Sequence, residues 1–237
     1  MRAIVLLSGG LDSTVSAYWA RRNGWELIPL SFDYGQRHKV ELMSAVSVVE
    51  ALGVRSEHII IPLSGATVWG NSALTDRSIE VPDIPEEQIG NEIPSTYVPG
   101  RNLIFLSYAF AMALSKNASR IVIGVNSLDY SGYPDCRPEF IMDMEETLQN
   151  LANGTGQYVE IATPLIDMPK VGIVHLGTDL GVPFEKTWSC YNPIQNLSNT
   201  AASSGIPYYA CGKCDSCKIR RNAFRAAGVQ DPTPYVR

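Results

Sequence analysis

The 237 residues contain no run of about 20 apolar residues, the length a bilayer-spanning helix requires. The longest largely apolar segment, Leu103–Leu114, is twelve residues long and has Ser107 inside it. Before the first glycines the N-terminus offers only Ile4–Leu7, too short for the apolar region of a signal peptide. A soluble, cytoplasmic chain is therefore expected. Basic excess is missing too: the net charge is −5 and the pI about 5.2, which argues against a broad nucleic-acid footprint. There is no repeat of fixed period and no low-complexity tract. Two common phosphate motifs are absent, since no Lys follows the glycines as a Walker A loop demands and the G-x-G-x-x-G spacing does not occur.

With 45% hydrophobic and 18% charged residues, the composition is that of an ordinary globular chain. Apolar runs of strand length occur at Ala3–Leu7, Leu27–Phe32, His58–Ile61, Ile121–Val125 and Tyr158–Ala162. Helical spacing follows most of them, at Ser13–Asn23, Arg37–Leu52, Asn102–Lys116, Pro138–Ala152 and Pro169–Leu180. This alternation predicts an α/β fold with a parallel sheet covered on both faces. Residues 1–183 are read as that domain, with a Pro-containing loop or lid at 62–100. Residues 184–237 are read as a small cysteine-bearing appendage ending in a basic helix, Lys218–Ala227.

The strongest local signal is Ser8-Gly9-Gly10-Leu11-Asp12-Ser13-Thr14, placed between the first strand and an apolar helix. A strand-turn-helix of this kind aims backbone N–H groups and a positive helix end at an anion. Gly9 and Gly10 let the backbone approach a phosphate, and Ser8, Ser13 and Thr14 add hydroxyls. Arg101 stands just before an apolar helix, where a cation opposes the local dipole, so a bound phosphate would explain it. Lys170 and Lys186 are further candidates for countering phosphate charge, with solvent-exposed cations as the alternative. Asp12 is a Mg²⁺ ligand or a helix cap. Of three histidines, His58 falls in a strand and His175 in a helix, while His38 follows the second strand near the expected crevice.

Cys211, Cys214 and Cys217 form a C-x₂-C-x₂-C run with Cys190 upstream. Four thiolates make a closed, structural Zn²⁺ site. An iron–sulfur cluster and unliganded thiols are the alternatives, although the bacterial ferredoxin run would add a fourth Cys three residues on, followed by Pro. Cys136 is left over and reads as a small buried hydrophobe.

The segment Ser8–Thr14 resembles the SGGxDS pyrophosphate-binding loop of the N-type ATP pyrophosphatases, the PP-loop superfamily. That resemblance implies an adenine nucleotide alpha hydrolase-like, doubly wound sheet of five parallel strands with the loop near its centre. It also implies ATP-binding residues Leu7, Ser8, Gly9, Gly10, Leu11, Asp12, Ser13, Thr14, Val15, Ser16 and Ala17. Within the superfamily, residues 30–38, 98–102, 132–140 and 186–190 are together similar to the 7-cyano-7-deazaguanine synthase family over nearly the whole chain. The family likeness implies an ATP-dependent ligase that joins ammonia to a carboxylated deazaguanine, via an acyl-adenylate and an amide, and makes a nitrile in queuosine biosynthesis; the alternatives are a tRNA sulfurtransferase of the same superfamily and a zinc-ribbon nucleic-acid-binding protein. ATP-Mg²⁺ would be the cosubstrate and one structural Zn²⁺ would be bound. A homodimer is implied, with no nucleic acid and no membrane as partner. Arg101, Lys170 and Lys186 would be the catalytic cations. Asp135 or Glu139 would meet the base edge, Tyr133 would offer a stacking surface, and Arg137 would hold the substrate carboxylate or a phosphate. The zinc ligands would be Cys190, Cys211, Cys214 and Cys217. The interval between Cys190 and Cys211 is longer than the likeness predicts, so residues 191–210 are expected to be an insertion.

Overall fold

Side chains of a strand alternate between its two faces, so a strand buried on both must be apolar throughout. β1 (Arg2–Leu6) meets this demand, sending Ile4 and Leu6 into one core and Ala3 and Val5 into another. It is the centre of a five-stranded sheet of order β3-β2-β1-β4-β5, with every pairing parallel. The other strands are β2 (Glu26–Asp33), β3 (Ile59–Pro62), β4 (Arg120–Val122) and β5 (Glu160–Ala162). The computed structural model describes residues 1–63, 69–90, 92–126, 132–196 and 206–236.

On one face, α3 (Arg101–Lys116) and α4 (Pro138–Asn153) pack through Leu106, Phe110, Ile141 and Met144. On the other, α1 (Leu11–Arg22) and α2 (Val40–Ala51) pack through Ala17, Ala45, Val48 and Val49. The fold is thus the doubly wound α/β sheet that the alternation of runs predicts. Strand order reverses between β1 and β4, and such a switch point opens a crevice at the strands' carboxyl ends.

β4 ends earlier than the apolar run Ile121–Val125 suggests, for a steric reason. A Cβ at Gly124 would lie 2.9 Å from the Asp12 carbonyl and from the Ser13 nitrogen. After Val122 the chain therefore closes onto the first turn of α1.

The C-terminal residues pack tightly on this scaffold. α5 (Lys170–Asp179) and α6 (Asp215–Ala226) share a core in which Ile173, Val174, Ala223 and Phe224 meet Leu11 and Val15 of α1. Two short strands, β6 (Ile194–Gln195) and β7 (Tyr208–Tyr209), pair antiparallel. Residues 197–205, the middle of the expected insertion, lie outside the described residues, as do 64–68 and 91 of the expected lid. The described part of 62–100 is docked. Trp69 and Leu74 join the main core, and Asp83 and Glu86 bond Lys218 and Asn222 of α6, each at 2.6 Å. Among the described residues no helix is long and apolar enough to cross a membrane.

Candidate active site

The loop from β1 to α1 is held from both sides. The Gly9 carbonyl accepts from Ser44 Oγ of α2 and from the Trp188 N–H, each at 2.9 Å. Gly9 has φ +87°, and a Cβ there would sit 2.5 Å from the Ala45 nitrogen and closer still to the Glu41 carbonyl. The missing side chain is therefore required by close approach to α2 as well as by the left-handed turn. Ser8 Oγ accepts from the Gly10 N–H at 3.1 Å and lies 3.0 Å from Ser13 Oγ, which closes the loop on itself. α1 starts at Leu11 with no side-chain cap. The N–H groups of its first turn lack intrahelical acceptors and remain available to an anion.

These groups open into a cleft of about 270 Å³ at the switch point. Its lining includes Ser8, Gly10, Asp12 and Ser13 of the loop, Arg101 of α3, and Lys170 of α5. Lys170 Nζ donates to Asp12 Oδ2 at 2.6 Å, while Asp12 Oδ1 is buried with no hydrogen-bond partner. One carboxylate oxygen is thus neutralised and the other is spare, a donor set that fits Mg²⁺. Arg101 donates to Tyr34 Oη at 3.1 Å and lies over its ring. Burial opposes the guanidinium charge, but Tyr34, Tyr133 and Asp135 outweigh it and the pKa is raised, so Arg101 is a fixed cation. Burial likewise pushes the Tyr34 phenol up and keeps it neutral.

Of the four residues expected at an acceptor, Tyr133 lines the cleft and bonds Thr96 Oγ1 at 3.0 Å. Asp135 is buried just behind. Its carboxylate accepts the Asn102 N–H at 2.9 Å and its carbonyl accepts from Asn102 Nδ2 at 3.0 Å, so it fixes the start of α3 one residue from Arg101. Burial pushes the Asp135 carboxyl up, partly offset by that backbone N–H and by Arg101. Arg137 and Glu139 are exposed and do not belong to the lining. Cys136 does, with its thiol pushed up by burial to about 12. Lys186 is half-buried beside the loop, its carbonyl accepting from Ser44 Oγ, and it is not part of the lining.

The four cysteines converge. Their sulfurs all lie within 4.8 Å of one another, with Cys211 and Cys217 at 3.9 Å. A tetrahedral ion with metal–sulfur bonds of about 2.3 Å places its sulfurs about 3.8 Å apart, so the cluster can hold a metal such as zinc. Backbone N–H groups of Cys211 and Asn192 point at Cys190 Sγ, and those of Lys213 and Cys214 at Cys211 Sγ, as sulfurs carrying negative charge require.

Several lining residues escape sequence reasoning. Arg220 falls in a basic helix that reads as a solvated surface, yet it is 2% exposed. It donates to Asp231 at 3.0 Å and Thr187 at 2.8 Å, tying α6 to residues 184–189. Trp188 joins the two halves of the site, since its N–H holds Gly9 and its indole donates to the Cys190 carbonyl at 2.9 Å.

A family model described as "Queuosine biosynthesis protein QueC" matches residues 2–228. The chain belongs to the QueC family. Curated relatives named 7-cyano-7-deazaguanine synthase include one from Acaryochloris marina, 48% identical with 100% of both chains covered. Another, from Thermosynechococcus vestitus, is 49% identical over 99% of this chain and 96% of its own. One from Clostridium kluyveri is 46% identical over 99% and 97%. Among solved structures, NMN synthetase from Francisella tularensis aligns with 97% of this chain and 78% of its own, at 20% identity and a TM-score of 0.47. In this QueC-family chain the loop between β1 and α1, Arg101 and Lys170 line one cleft, and the cysteine cluster lies outside that lining.

Proposed function

We propose that the protein is an ATP-dependent 7-cyano-7-deazaguanine synthase that converts 7-carboxy-7-deazaguanine and ammonia to the nitrile. The observation that carries the reading is the uncapped N-terminus of α1 at the switch point, facing Lys170 and Arg101 across one cleft, in a chain of the QueC family. Loop amides at Ser8–Thr14 hold the β and γ phosphates, and Lys170 and Arg101 offset the charge that develops as pyrophosphate departs. Lys186, adjacent to the loop, adds to that field. A substrate carboxylate oxygen attacks the α-phosphorus, the bond to the bridging oxygen breaks, and pyrophosphate leaves with the electron pair. Ammonia then displaces AMP from the acyl carbon to give the amide. A second adenylylation, at the amide oxygen, releases pyrophosphate, and departure of AMP with that oxygen together with loss of two protons yields the nitrile.

The deazapurine ring is placed against Tyr133, with Asp135 fixing Arg101 behind it. Arg137 and Glu139, outside the lining, carry no role in this reading. Bound Mg²⁺ would be held by Asp12 and would neutralise phosphate charge. Zinc at Cys190, Cys211, Cys214 and Cys217 would be structural, since four sulfurs leave no open position. The net charge of −5 supports small molecules rather than nucleic acid as partners. Five free cysteines suit a reducing cytoplasm. Exposed Leu103 and Tyr108 on α3 and Met142 on α4 support a homodimer built on that face. Exchange of labelled pyrophosphate into ATP tests the reading: it should depend on 7-carboxy-7-deazaguanine. Exchange that requires tRNA and ignores the deazapurine would overturn it.

A further inference from the structure

Ammonia attack on an acyl-adenylate leaves a positively charged nitrogen that must lose a proton. None of the groups assigned above is free to take it: Arg101 and Lys170 are cations, Asp12 is shared between Lys170 and the Mg²⁺ it would hold, Asp135 is engaged by Asn102, and Tyr34 is held neutral. One further pair lines the cleft. His38, 3% exposed, and Glu41 follow β2 at the floor of the site, and the Glu41 backbone abuts Gly9 of the phosphate loop. His38 Nε2 lies 3.2 Å from Glu41 Oε2. Glu41 is itself fixed, its Oε1 accepting from Gln36 Nε2 at 3.0 Å. Gln36 in turn accepts the Tyr34 N–H at 2.9 Å and donates to the Phe32 carbonyl at 3.0 Å. The Tyr191 ring packs beside the imidazole at 5.5 Å between centroids.

The Glu41 carboxylate 3.2 Å from Nε2 favours the tautomer with the hydrogen on Nε2 and the lone pair on Nδ1. Nδ1 is buried and has no hydrogen-bond partner. A buried acceptor left unmet is costly, and an oriented imidazole beside a carboxylate is the arrangement that accepts a proton during group transfer. We infer that His38 is the general base of the amide-forming step and Glu41 its positioning residue. As the ammonia lone pair forms the new C–N bond, a proton passes from that nitrogen to Nδ1. The C–O bond to the phosphate then breaks and AMP departs with its electron pair. The imidazolium, stabilised by Glu41, returns the proton to solvent. The assignment rests on the synthase reading above, but it concerns a step after adenylylation, so the two can fail separately.

The experiment compares the wild-type protein with His38→Gln and Glu41→Gln in two assays. The first is pyrophosphate exchange with 7-carboxy-7-deazaguanine, which reports adenylylation alone. The second is amide formation from ammonia in a single turnover. His38→Gln should keep exchange within about threefold and lose amide formation by about 10²-fold or more, the usual contribution of general acid–base catalysis. Hydroxylamine, whose conjugate acid is a stronger acid than ammonium, should still trap the adenylate in this variant. Should His38→Gln not fold, Glu41→Gln carries the test, with about a tenfold loss of amide formation and exchange intact. Amide formation at the wild-type rate in either variant with exchange preserved would overturn the inference, as would parallel loss of both activities in a folded variant. Absence of exchange in the wild-type protein would instead overturn the synthase reading.

Discussion

Replacing Gly9 by Ala puts a methyl group where none fits. The added carbon would lie 2.5 Å from the Ala45 nitrogen and 2.9 Å from Ser44 Cβ, on a backbone with φ +87°. These neighbours belong to α2, whose backbone cannot yield as a flexible side chain can, so the loop itself must move. Moving it breaks the two 2.9 Å bonds to the Gly9 carbonyl, from Ser44 Oγ and from the Trp188 N–H. Each such bond contributes about 1 kcal/mol net, and a left-handed Ala costs about 1 kcal/mol more. The expected destabilisation is about 3 kcal/mol, a fall of about 6–12 °C in Tm for a chain of this size. Gly10 is the internal control. Its φ is −72°, and an added Cβ would meet the rotatable Ser8 hydroxyl at 3.2 Å and the Trp188 carbonyl at an ordinary contact distance of 3.6 Å, so Gly10→Ala should lose less than about 1 kcal/mol. Urea unfolding with ATP-binding calorimetry on both variants makes the comparison. Equal stabilities, or tighter retention of ATP by Gly9→Ala than by Gly10→Ala, would refute the packing argument.

Arg220→Met should destabilise by about 3 kcal/mol in urea, because Asp231, mostly shielded from solvent, is left without its cation; a change below about 1 kcal/mol would contradict the role given to Arg220. Burial holds His58 down at about 4, its neutral ring lying 2.8 Å from Ser31 Oγ. Its contribution is therefore complete above the unfolded value of about 6.5 and is lost as pH falls from there towards 4, by about 1–2 kcal/mol once partial exposure is allowed for. His58→Gln should flatten that part of the stability profile, and an unchanged slope would count against it. Cys214→Ser should lower the bound metal below one per chain by elemental analysis. It should also weaken ATP binding by about tenfold, the loss of one hydrogen bond's worth of loop positioning through Trp188; full ATP affinity without metal would show that the two halves of the site are uncoupled.

The parallel sheet and its loop were legible because both are local. Ile4 to Leu6 must be apolar to be buried on two faces, and Ser8–Thr14 carries its small residues in one stretch. Cys211, Cys214 and Cys217 are readable for the same reason. What escaped depends on residues far apart in the chain. Gly9 reads as a glycine for phosphate, yet its nearest demand is the backbone of α2, more than thirty residues on. Asp135 reads as a contact for the base edge, and only the fold reveals its further task, accepting the Asn102 N–H at the start of α3. Arg220 carries a surface residue's signature because no local pattern reveals that Asp231, Thr187 and the Phe184 carbonyl will enclose it. Gly124 marks the point where β4 meets α1, a contact that only the folded sheet creates.

The central claim is that the loop at Ser8–Thr14 grips the pyrophosphate of ATP while a carboxylate attacks the α-phosphorus. Turnover with 7-carboxy-7-deazaguanine labelled with ¹⁸O in its carboxylate measures this directly. Mass spectrometry should find AMP carrying one ¹⁸O together with unlabelled pyrophosphate. Unlabelled AMP, or ADP and phosphate in place of AMP and pyrophosphate, would contradict the account.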